Sequence, residues 1–165
     1  MEIQPLQDHH DTSAFSCGED ALDTWLRQTA SQHARKGISR TFIAVTPEAP
    51  QAILGFYSLT VGEAPSEVFP AALAKKLPRK VPIVVLGRLG VAAEHHGKGI
   101  GSFLLMDALY RVVQIANQAG VNAILVDAKG ERAEQFYRHF GFLPLPDTPQ
   151  RLVMPVKTAA NLFEG

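Results

Sequence analysis

Cysteine is nearly absent from this chain, because Cys17 is the only one among 165 residues. An intramolecular disulfide is therefore excluded, and a reducing compartment suits the protein. An excess of charge of one sign is missing too, because 16 basic residues balance 16 acidic ones. No overall electrostatic field then attracts nucleic acid or an anionic membrane, so an anionic partner has to meet a local basic patch.

Long apolar runs are absent as well, and none approaches the roughly 18 residues that a membrane helix needs. The segment Met1–Pro5 has neither the basic region nor the apolar core of a signal peptide. The chain is nevertheless 46% apolar, which is enough for a core at this length. We expect a single domain over residues 1–165, located in the cytoplasm and without a membrane-spanning segment.

The six histidines are scattered, and none falls into a Cys/His spacing typical of metal sites. His95 and His96 are adjacent, but we interpret them as loop residues. We therefore expect no metal.

Strand and helix patterns are mixed along the chain, and one βαβ unit lies in its second half. The class is α/β (α+β), with a mixed, mostly antiparallel sheet flanked by helices. Residues 63–80 are the least regular and are expected to cross the surface with short helices. The predicted strands cover 3–6, 41–45, 52–61, 81–91, 123–126 and 151–156, and the predicted helices cover 19–36, 100–119 and 131–140.

A glycine-rich turn joins the predicted strand 81–91 to the helix after it, with Gly97, Gly99 and Gly101. Glycine allows a tight turn and a close approach to a ligand. The free N–H groups and the dipole of the following helix favour a phosphate there. The spacing is neither the dinucleotide fingerprint nor the Walker pattern. Many such turns only connect a strand to a helix, and Lys98 beside them is equally well explained as a solvated side chain.

A second pattern lies on the predicted helix 131–140. Ala133, Phe136, Tyr137 and Phe140 are spaced as a core-facing stripe. On spacing alone, Tyr137 is a buried aromatic residue.

These two segments resemble two motifs of the GNAT superfamily of N-acetyltransferases. The first motif, Gln/Arg-x-x-Gly-x-Gly/Ala, is matched by Gly99 and Gly101, with His96 in the place of Gln or Arg. The second, Phe-Tyr-x-x-x-Gly-Phe, is matched by residues 136–142. The departure at His96 matters little if backbone amides bind the phosphates.

The resemblance implies a GNAT-like fold in which a splayed strand pair holds acetyl-CoA. The strand backbone would pair with the pantetheine arm, and Tyr137 would protonate the leaving thiolate. The cofactor-binding residues that the resemblance implies are Leu89, Val91, His96, Gly97, Gly99, Ile100, Gly101 and Ser102.

The chemistry of Tyr137 agrees with this role, because a tyrosine with a pKa of about 10 is protonated at neutral pH. No general base is identified. Glu63, His95 and Asp127 are candidates, each more simply explained as structural or solvated. Cys17 is expected to be a small buried residue rather than a nucleophile.

Nearly the whole chain is similar to one GNAT subgroup, the toxins of bacterial toxin–antitoxin pairs. The segments 15–26, 55–59, 81–89 and 126–128 carry this likeness. It implies acetylation of the α-amine of aminoacyl-tRNA, which blocks translation. It also implies a ribbon-helix-helix antitoxin as partner and a homodimer.

Two basic clusters, Lys75–Lys80 and Arg35–Arg40, are candidates for RNA contact. Runs of charge are more often solvated surface, so this alternative stays open. The residues predicted to contact RNA are Lys36, Lys76, Arg79 and Lys80.

Two other functions remain open at this point. The first is a GNAT enzyme that acetylates a small amine, a polyamine or a protein N-terminus. The second is a non-catalytic module that binds a coenzyme and signals through a partner.

Overall fold

The structure, a computed structural model, describes residues 1–164. Its strands form one sheet, and helices lie between them along the chain. The strands are β1 (Glu2–Pro5), β2 (Arg40–Val45), β3 (Gly55–Pro65), β4 (Lys80–Val91), β5 (Ala123–Asp127), β6 (Leu143–Pro144) and β7 (Arg151–Pro155). The helices are α1 (Asp20–Gln28), α2 (Ala30–Arg35), α3 (Ala71–Ala74), α4 (Ile100–Ala116), α5 (Glu131–His139) and α6 (Val156–Asn161).

The sheet has the strand order β1-β2-β3-β4-β5-β7-β6. β1 pairs antiparallel with β2, β2 with β3, β5 with β7 and β6 with β7, while β4 and β5 are parallel. A parallel pair needs a crossover connection, and α4 provides it. The predicted α/β (α+β) class, with a mixed and mostly antiparallel sheet, is therefore confirmed.

Strand β4 continues past its parallel neighbour. The register with β5 ends at Leu86 opposite Val126, whereas β4 runs on to Val91. Within the described chain, Gly87–Val91 have no register partner on β5. A strand end of this kind is what the expected splayed strand pair requires.

The chain comprises two compact units. The first contains residues 1–60 and 87–108, and the second contains residues 61–86 and the chain from Leu109 onward. Each has an apolar core. The core of the first unit includes Phe15, Trp25, Leu26, Ile43, Val45 and Phe56. The core of the second includes Phe69, Val81, Ile83, Leu125, Leu145 and Val153. The prediction of a single domain over residues 1–165 stays a prediction.

The single helix predicted over residues 19–36 is wrong in one respect, because it is divided into α1 and α2. The division falls at Thr29, whose φ of −119° departs from helical geometry. A β-branched residue such as Thr is stiff at χ1, which makes it a weak helix former. The predicted helix end at residue 36 is nearly right, since α2 ends at Arg35 with Lys36 as its cap. Gly37 has φ +71°, and its N–H and that of Ile38 close the helix end by bonding to Ala34 and His33.

Other boundaries differ by a few residues. β3 begins at Gly55 rather than at residue 52. The prediction began too early because Ile53, an apolar β-branched residue, is buried in the preceding loop. α4 ends at Ala116 rather than 119. The short strand β6 and the helix α6 were not predicted. No helix of residues 1–164 is both long and apolar enough to cross a membrane.

Candidate functional site

The loop between β4 and α4 is built around two glycines in the left-handed region. Gly97 has φ +78° and Gly99 has φ +80°, a conformation that costs other residues strain. A Cβ placed on either glycine would meet no atom within 4 Å. The requirement for glycine is therefore conformational, and the loop backbone is not covered by protein there.

Helix α4 begins directly after this loop, at Ile100. The first helical turn leaves backbone N–H groups without intrahelical partners, and Ile100, Gly101 and Ser102 are its first three residues. No acidic residue lies in that turn, so nothing there opposes the favourable interaction of a helix N-terminus with an anion. The five predicted residues from Gly97 to Ser102 are thus brought together in one open, anion-favouring turn.

The side chain of His96 is hydrogen-bonded to the strand that precedes this turn. Its Nε2 lies 2.8 Å from the backbone oxygen of Val91 and donates to it. This contact ties the loop to the end of β4. The structure thus gives His96 a positioning contact, and its predicted contact with the cofactor stays a prediction, as do those of Leu89 and Val91.

Lys98 and His95 are engaged with each other. Lys98 Nζ lies 3.3 Å from Nδ1 of His95, and Nε2 of His95 lies 3.7 Å from a carboxylate oxygen of Glu94. Both ring nitrogens of His95 therefore face charged neighbours. These contacts hold His95 within the loop.

Tyr137 lies on α5 and is 6% exposed. Its ring packs edge-on against Phe136 and Phe142, at centroid distances of 5.2 and 5.5 Å. Burial, together with the nearby charge of Asp127, raises the pKa of Tyr137. The phenol therefore keeps its proton at neutral pH, as a general acid must.

The hydroxyl of Tyr137 is not committed to a partner within residues 1–164. Its side chain makes no hydrogen bond there, and its oxygen is not among the fully enclosed atoms without a partner, which are Trp25 Nε1 and Thr41 Oγ1. A buried ring with an uncommitted hydroxyl goes beyond the core-stripe interpretation, which needs only the ring. The geometry leaves this hydroxyl able to donate to a ligand atom.

Asp127 is occupied by a structural pair. Arg151 donates from Nε to one carboxylate oxygen at 2.8 Å and from a terminal nitrogen to the other at 3.3 Å. The two residues face each other in the β5–β7 register. Glu63 is exposed on β3. The structure thus singles out no general base among the three candidates.

Cys17 is buried and cannot act as a ready nucleophile. Burial, with a further contribution from Asp23, raises the pKa of the thiol to about 11. The thiolate is the reactive form, so the thiol is unreactive at neutral pH. The expectation of a small buried residue agrees with this environment.

The basic run Lys75–Lys80 is exposed at all four of its charged residues. None of the four has an ion pair within the described part of the chain. In the second cluster, Arg40 is occupied, because it donates to the backbone oxygen of Ala34 at 2.9 Å. Lys36 is exposed at the end of α2. The side chains predicted to contact RNA are thus all accessible.

Metal chemistry finds no support in the side chains. Among residues 1–164, no group of three or more histidine, cysteine, aspartate or glutamate residues is arranged to hold an ion.

One residue of interest was missed in the sequence. Arg88 lies on β4 with its guanidinium carbon 4.2 Å from the centre of the Trp25 ring. The signal was a charge within an apolar strand, since the other charged residue of β4 is Lys80 at its start.

Residues 38–144 match the model of the acetyltransferase (GNAT) domain family. The chain therefore belongs to this family and is an acetyltransferase. It is 37% identical over 158 residues to a tRNA-acetylating toxin of Mycobacterium tuberculosis, which covers 96% of this chain and 93% of the relative.

Two solved structures are similar along nearly the whole chain. One is AtaT complexed with acetyl-methionyl-tRNAfMet, with a TM-score of 0.88, 31% identity and 99% of each chain covered. The other is an AtaT mutant with phenylalanine in place of a tyrosine, bound to the C-terminus of the antitoxin AtaR and to acetyl-CoA. It has a TM-score of 0.85 and 29% identity, with 99% of this chain and 98% of that chain covered.

Proposed function

We propose that this protein transfers an acetyl group from acetyl-CoA to the α-amine of aminoacyl-tRNA and acts as a translation-blocking toxin. The observation that carries the proposal is the likeness along nearly the whole chain to the tRNA-acetylating toxin of Mycobacterium tuberculosis. The open glycine turn, the protonated tyrosine and the exposed basic run are the features that this reaction needs.

The turn before α4 fits the diphosphate of acetyl-CoA. Its backbone is uncovered at Gly97 and Gly99, and the N–H groups of Ile100, Gly101 and Ser102 open the helix. The amides bind the phosphates, and His96 holds the loop to β4 through Val91. The pantetheine arm follows the backbone of Leu89 and Val91, on the strand segment that extends past β5.

Tyr137 is the proposed general acid. When bound, acetyl-CoA would supply an acetyl thioester. The amine nitrogen attacks its carbonyl carbon, so that a C–N bond forms, the C–S bond breaks and the CoA thiolate leaves. The Tyr137 hydroxyl donates its proton to the departing sulfur. The raised pKa of Tyr137 keeps the phenol protonated at neutral pH, so its proton is available to the sulfur as the C–S bond breaks.

The attacking amine needs little assistance. An α-amine has a pKa of about 8, and an adjacent ester lowers it further, so the neutral form is abundant at pH 7. This agrees with Glu63, His95 and Asp127 serving other purposes. Water accepts the proton that the amine loses after attack, and no covalent enzyme intermediate forms.

The RNA lies against basic side chains in this proposal. Lys76, Arg79 and Lys80 are exposed and carry no acidic neighbour in their run, as contacts to phosphates require. Lys36 is the corresponding residue at the end of α2. The neutral total charge is compatible with this, because binding depends on the local patch.

The partners and location follow from this function. We propose one domain over residues 1–165 that acts in the cytoplasm, where charged tRNA is found. A ribbon-helix-helix antitoxin neutralises it, and two copies form a homodimer. The support for an antitoxin is that the similar AtaT toxin was solved bound to the C-terminus of its antitoxin AtaR.

The test is an acceptor panel with labelled acetyl-CoA. Purified protein meets charged tRNA, uncharged tRNA, a peptide pool and polyamines in parallel. We expect label on charged tRNA alone. Label on peptides or polyamines instead would agree with acetyltransferase activity but exclude the toxin function. Measurable acetyl-CoA binding without any transfer would exclude both the acetyl transfer to these acceptors and the toxin function.

A further inference from the structure

Arg88 has an unusual environment for an arginine. It lies on β4 and is half-buried, with its guanidinium 4.2 Å above the Trp25 ring. The ring attracts the cation. Among residues 1–164, neither a carboxylate nor a backbone oxygen accepts a hydrogen bond from it. Its planar set of five N–H donors is thus held in place but unused.

The surface beneath Arg88 is rigid. Trp25 is 7% exposed and stacks on Phe56, with ring centroids 6.2 Å apart and planes 13° apart. His33 meets the indole edge-on at 5.9 Å. Gly90, two residues along the same face of β4, is closely packed, since a Cβ there would lie 3.2 Å from Phe56. The arginine is therefore preorganised over a fixed platform.

A partly buried cation without an anion is costly. Desolvation lowers the pKa of Arg88, in agreement with a charge that is partly removed from water. The cost is offset when an anion binds, and a guanidinium suits a phosphate because it can donate to two oxygens at once. This arrangement is typical of a binding site for an anionic ligand.

The position on β4 indicates which anion. The diphosphate of acetyl-CoA is assigned to the turn after Val91, and its pantetheine arm runs back along Val91 and Leu89. Arg88 precedes these residues, so it lies toward the thioester end of the donor. The acceptor amine has to arrive at that end. In aminoacyl-tRNA the carboxylate of the amino acid is esterified, and the nearest anion is the phosphodiester of the terminal nucleotide.

We propose that Arg88, held by Trp25, binds a phosphate at the 3′ end of the acceptor RNA and so presents the amine. This inference rests on the proposed function. It assigns Arg88 as a substrate-binding residue, distinct from the exposed basic run Lys75–Lys80 and from the donor-binding turn.

The test compares Arg88→Gln and Arg88→Lys with Arg27→Gln, which removes the same charge from an exposed position on α1. Binding of deacylated tRNA is measured over a series of salt concentrations. A hydrogen-bonded phosphate contact predicts about 10- to 100-fold weaker binding for Arg88→Gln. The slope of log affinity against log salt should become shallower by about 0.7 to 0.9. Arg88→Lys should restore the slope but only part of the affinity, and Arg27→Gln should resemble the wild type.

Activity gives a second readout. The acetylation rate is measured for charged tRNA and for the methyl ester of the same amino acid, which has the amine and the ester but no phosphate. Arg88→Gln should lower kcat/KM for charged tRNA and leave that for the methyl ester and the affinity for acetyl-CoA unchanged. Thermal melting verifies that each variant is folded.

Distinct outcomes separate the two proposals. An unchanged salt slope in Arg88→Gln, or the same change in Arg27→Gln, would overturn the phosphate contact while charged tRNA remained the acceptor. An equal loss with the methyl ester would likewise overturn it, since that substrate has no phosphate. If the wild type leaves charged tRNA unlabelled but acetylates peptides, the proposed function fails instead.

Discussion

The turn before α4 offers a ligand backbone N–H groups, whereas α5 offers a single side-chain hydroxyl. In the turn, conformation is what matters: Gly97 and Gly99 adopt positive φ, and the preceding side chain, His96, is hydrogen-bonded to the strand. On α5, the surroundings of one atom matter, because burial and the charge of Asp127 raise the pKa of Tyr137 and keep its hydroxyl protonated. Mutations in the turn should therefore change the affinity for acetyl-CoA, whereas mutation of Tyr137 should change turnover.

The largest effect is expected for Tyr137→Phe. The change removes the proposed proton donor and retains the ring that packs against Phe136 and Phe142. Turnover should fall by about 10²- to 10⁴-fold, with acetyl-CoA affinity nearly unchanged. Initial rates and calorimetric titration measure the two. Unchanged turnover would remove the general-acid role.

Gly99→Val should produce the opposite pattern. A β-branched residue at φ +80° is strained, and its side chain would stand in the space assigned to the diphosphate. Acetyl-CoA binding should weaken by about 10- to 100-fold, as expected for 1–3 kcal/mol of backbone strain. Gly120→Val is the matched control, because Gly120 has ordinary φ and open surroundings. An equal loss of acetyl-CoA binding in both variants would contradict a specific role of the turn in binding the diphosphate.

Mutations in the basic run Lys75–Lys80 should change RNA binding alone. Reversing Lys76, Arg79 and Lys80 to glutamate should weaken tRNA binding by at least about 10-fold and reduce its salt dependence. Acetyl-CoA binding should not change. The exposed Lys157→Glu on α6 is the control. A change confined to thermal stability would mean that the run is only solvated surface.

Asp127→Asn should change stability slightly and turnover hardly at all. The pair with Arg151 is 43% exposed on both sides, so water screens it, and its loss should cost about 1 kcal/mol or less. That corresponds to a fall in Tm of about 2–4 °C at this chain length. A fall in turnover comparable to that of Tyr137→Phe would show instead that Asp127 takes part in proton transfer.

Cys17→Ala should leave acetyl transfer unchanged, since a thiol with a pKa of about 11 is protonated under assay conditions. In the wild type, the rate of alkylation should keep rising with pH toward 11 instead of levelling near about 8.5, where an ordinary thiol does. Rapid labelling at pH 7 would contradict the buried environment.

Local signals in the sequence account for much of this fold. The glycine turn, the apolar strand before it and the amphipathic helix after it appear as predicted, because φ preference and periodicity are properties of neighbouring residues. The stop at Gly37 is similar, since a left-handed residue ends a helix wherever it occurs. The break at Thr29 was missed because helix periodicity continues through it.

Contacts between distant residues are what the sequence could not supply. Cys17 and Asp127 were ambiguous until their partners were known, and the partner of Asp127 is 24 positions away. Arg88 depends on Trp25, 63 positions earlier, so the sequence shows its charge within β4 but not its contact with the ring. Tyr137 could be placed on a helix face, but the uncommitted state of its hydroxyl depends on everything that packs around it.

The most direct test of the central claim is the position of the transferred acetyl group. Charged tRNA is incubated with the protein and labelled acetyl-CoA, and mild base then hydrolyses the aminoacyl ester. The account predicts that the label leaves with the amino acid as its N-acetyl derivative and that Tyr137→Phe abolishes the signal. Label that stays on the RNA after hydrolysis, or that appears on protein, would contradict it.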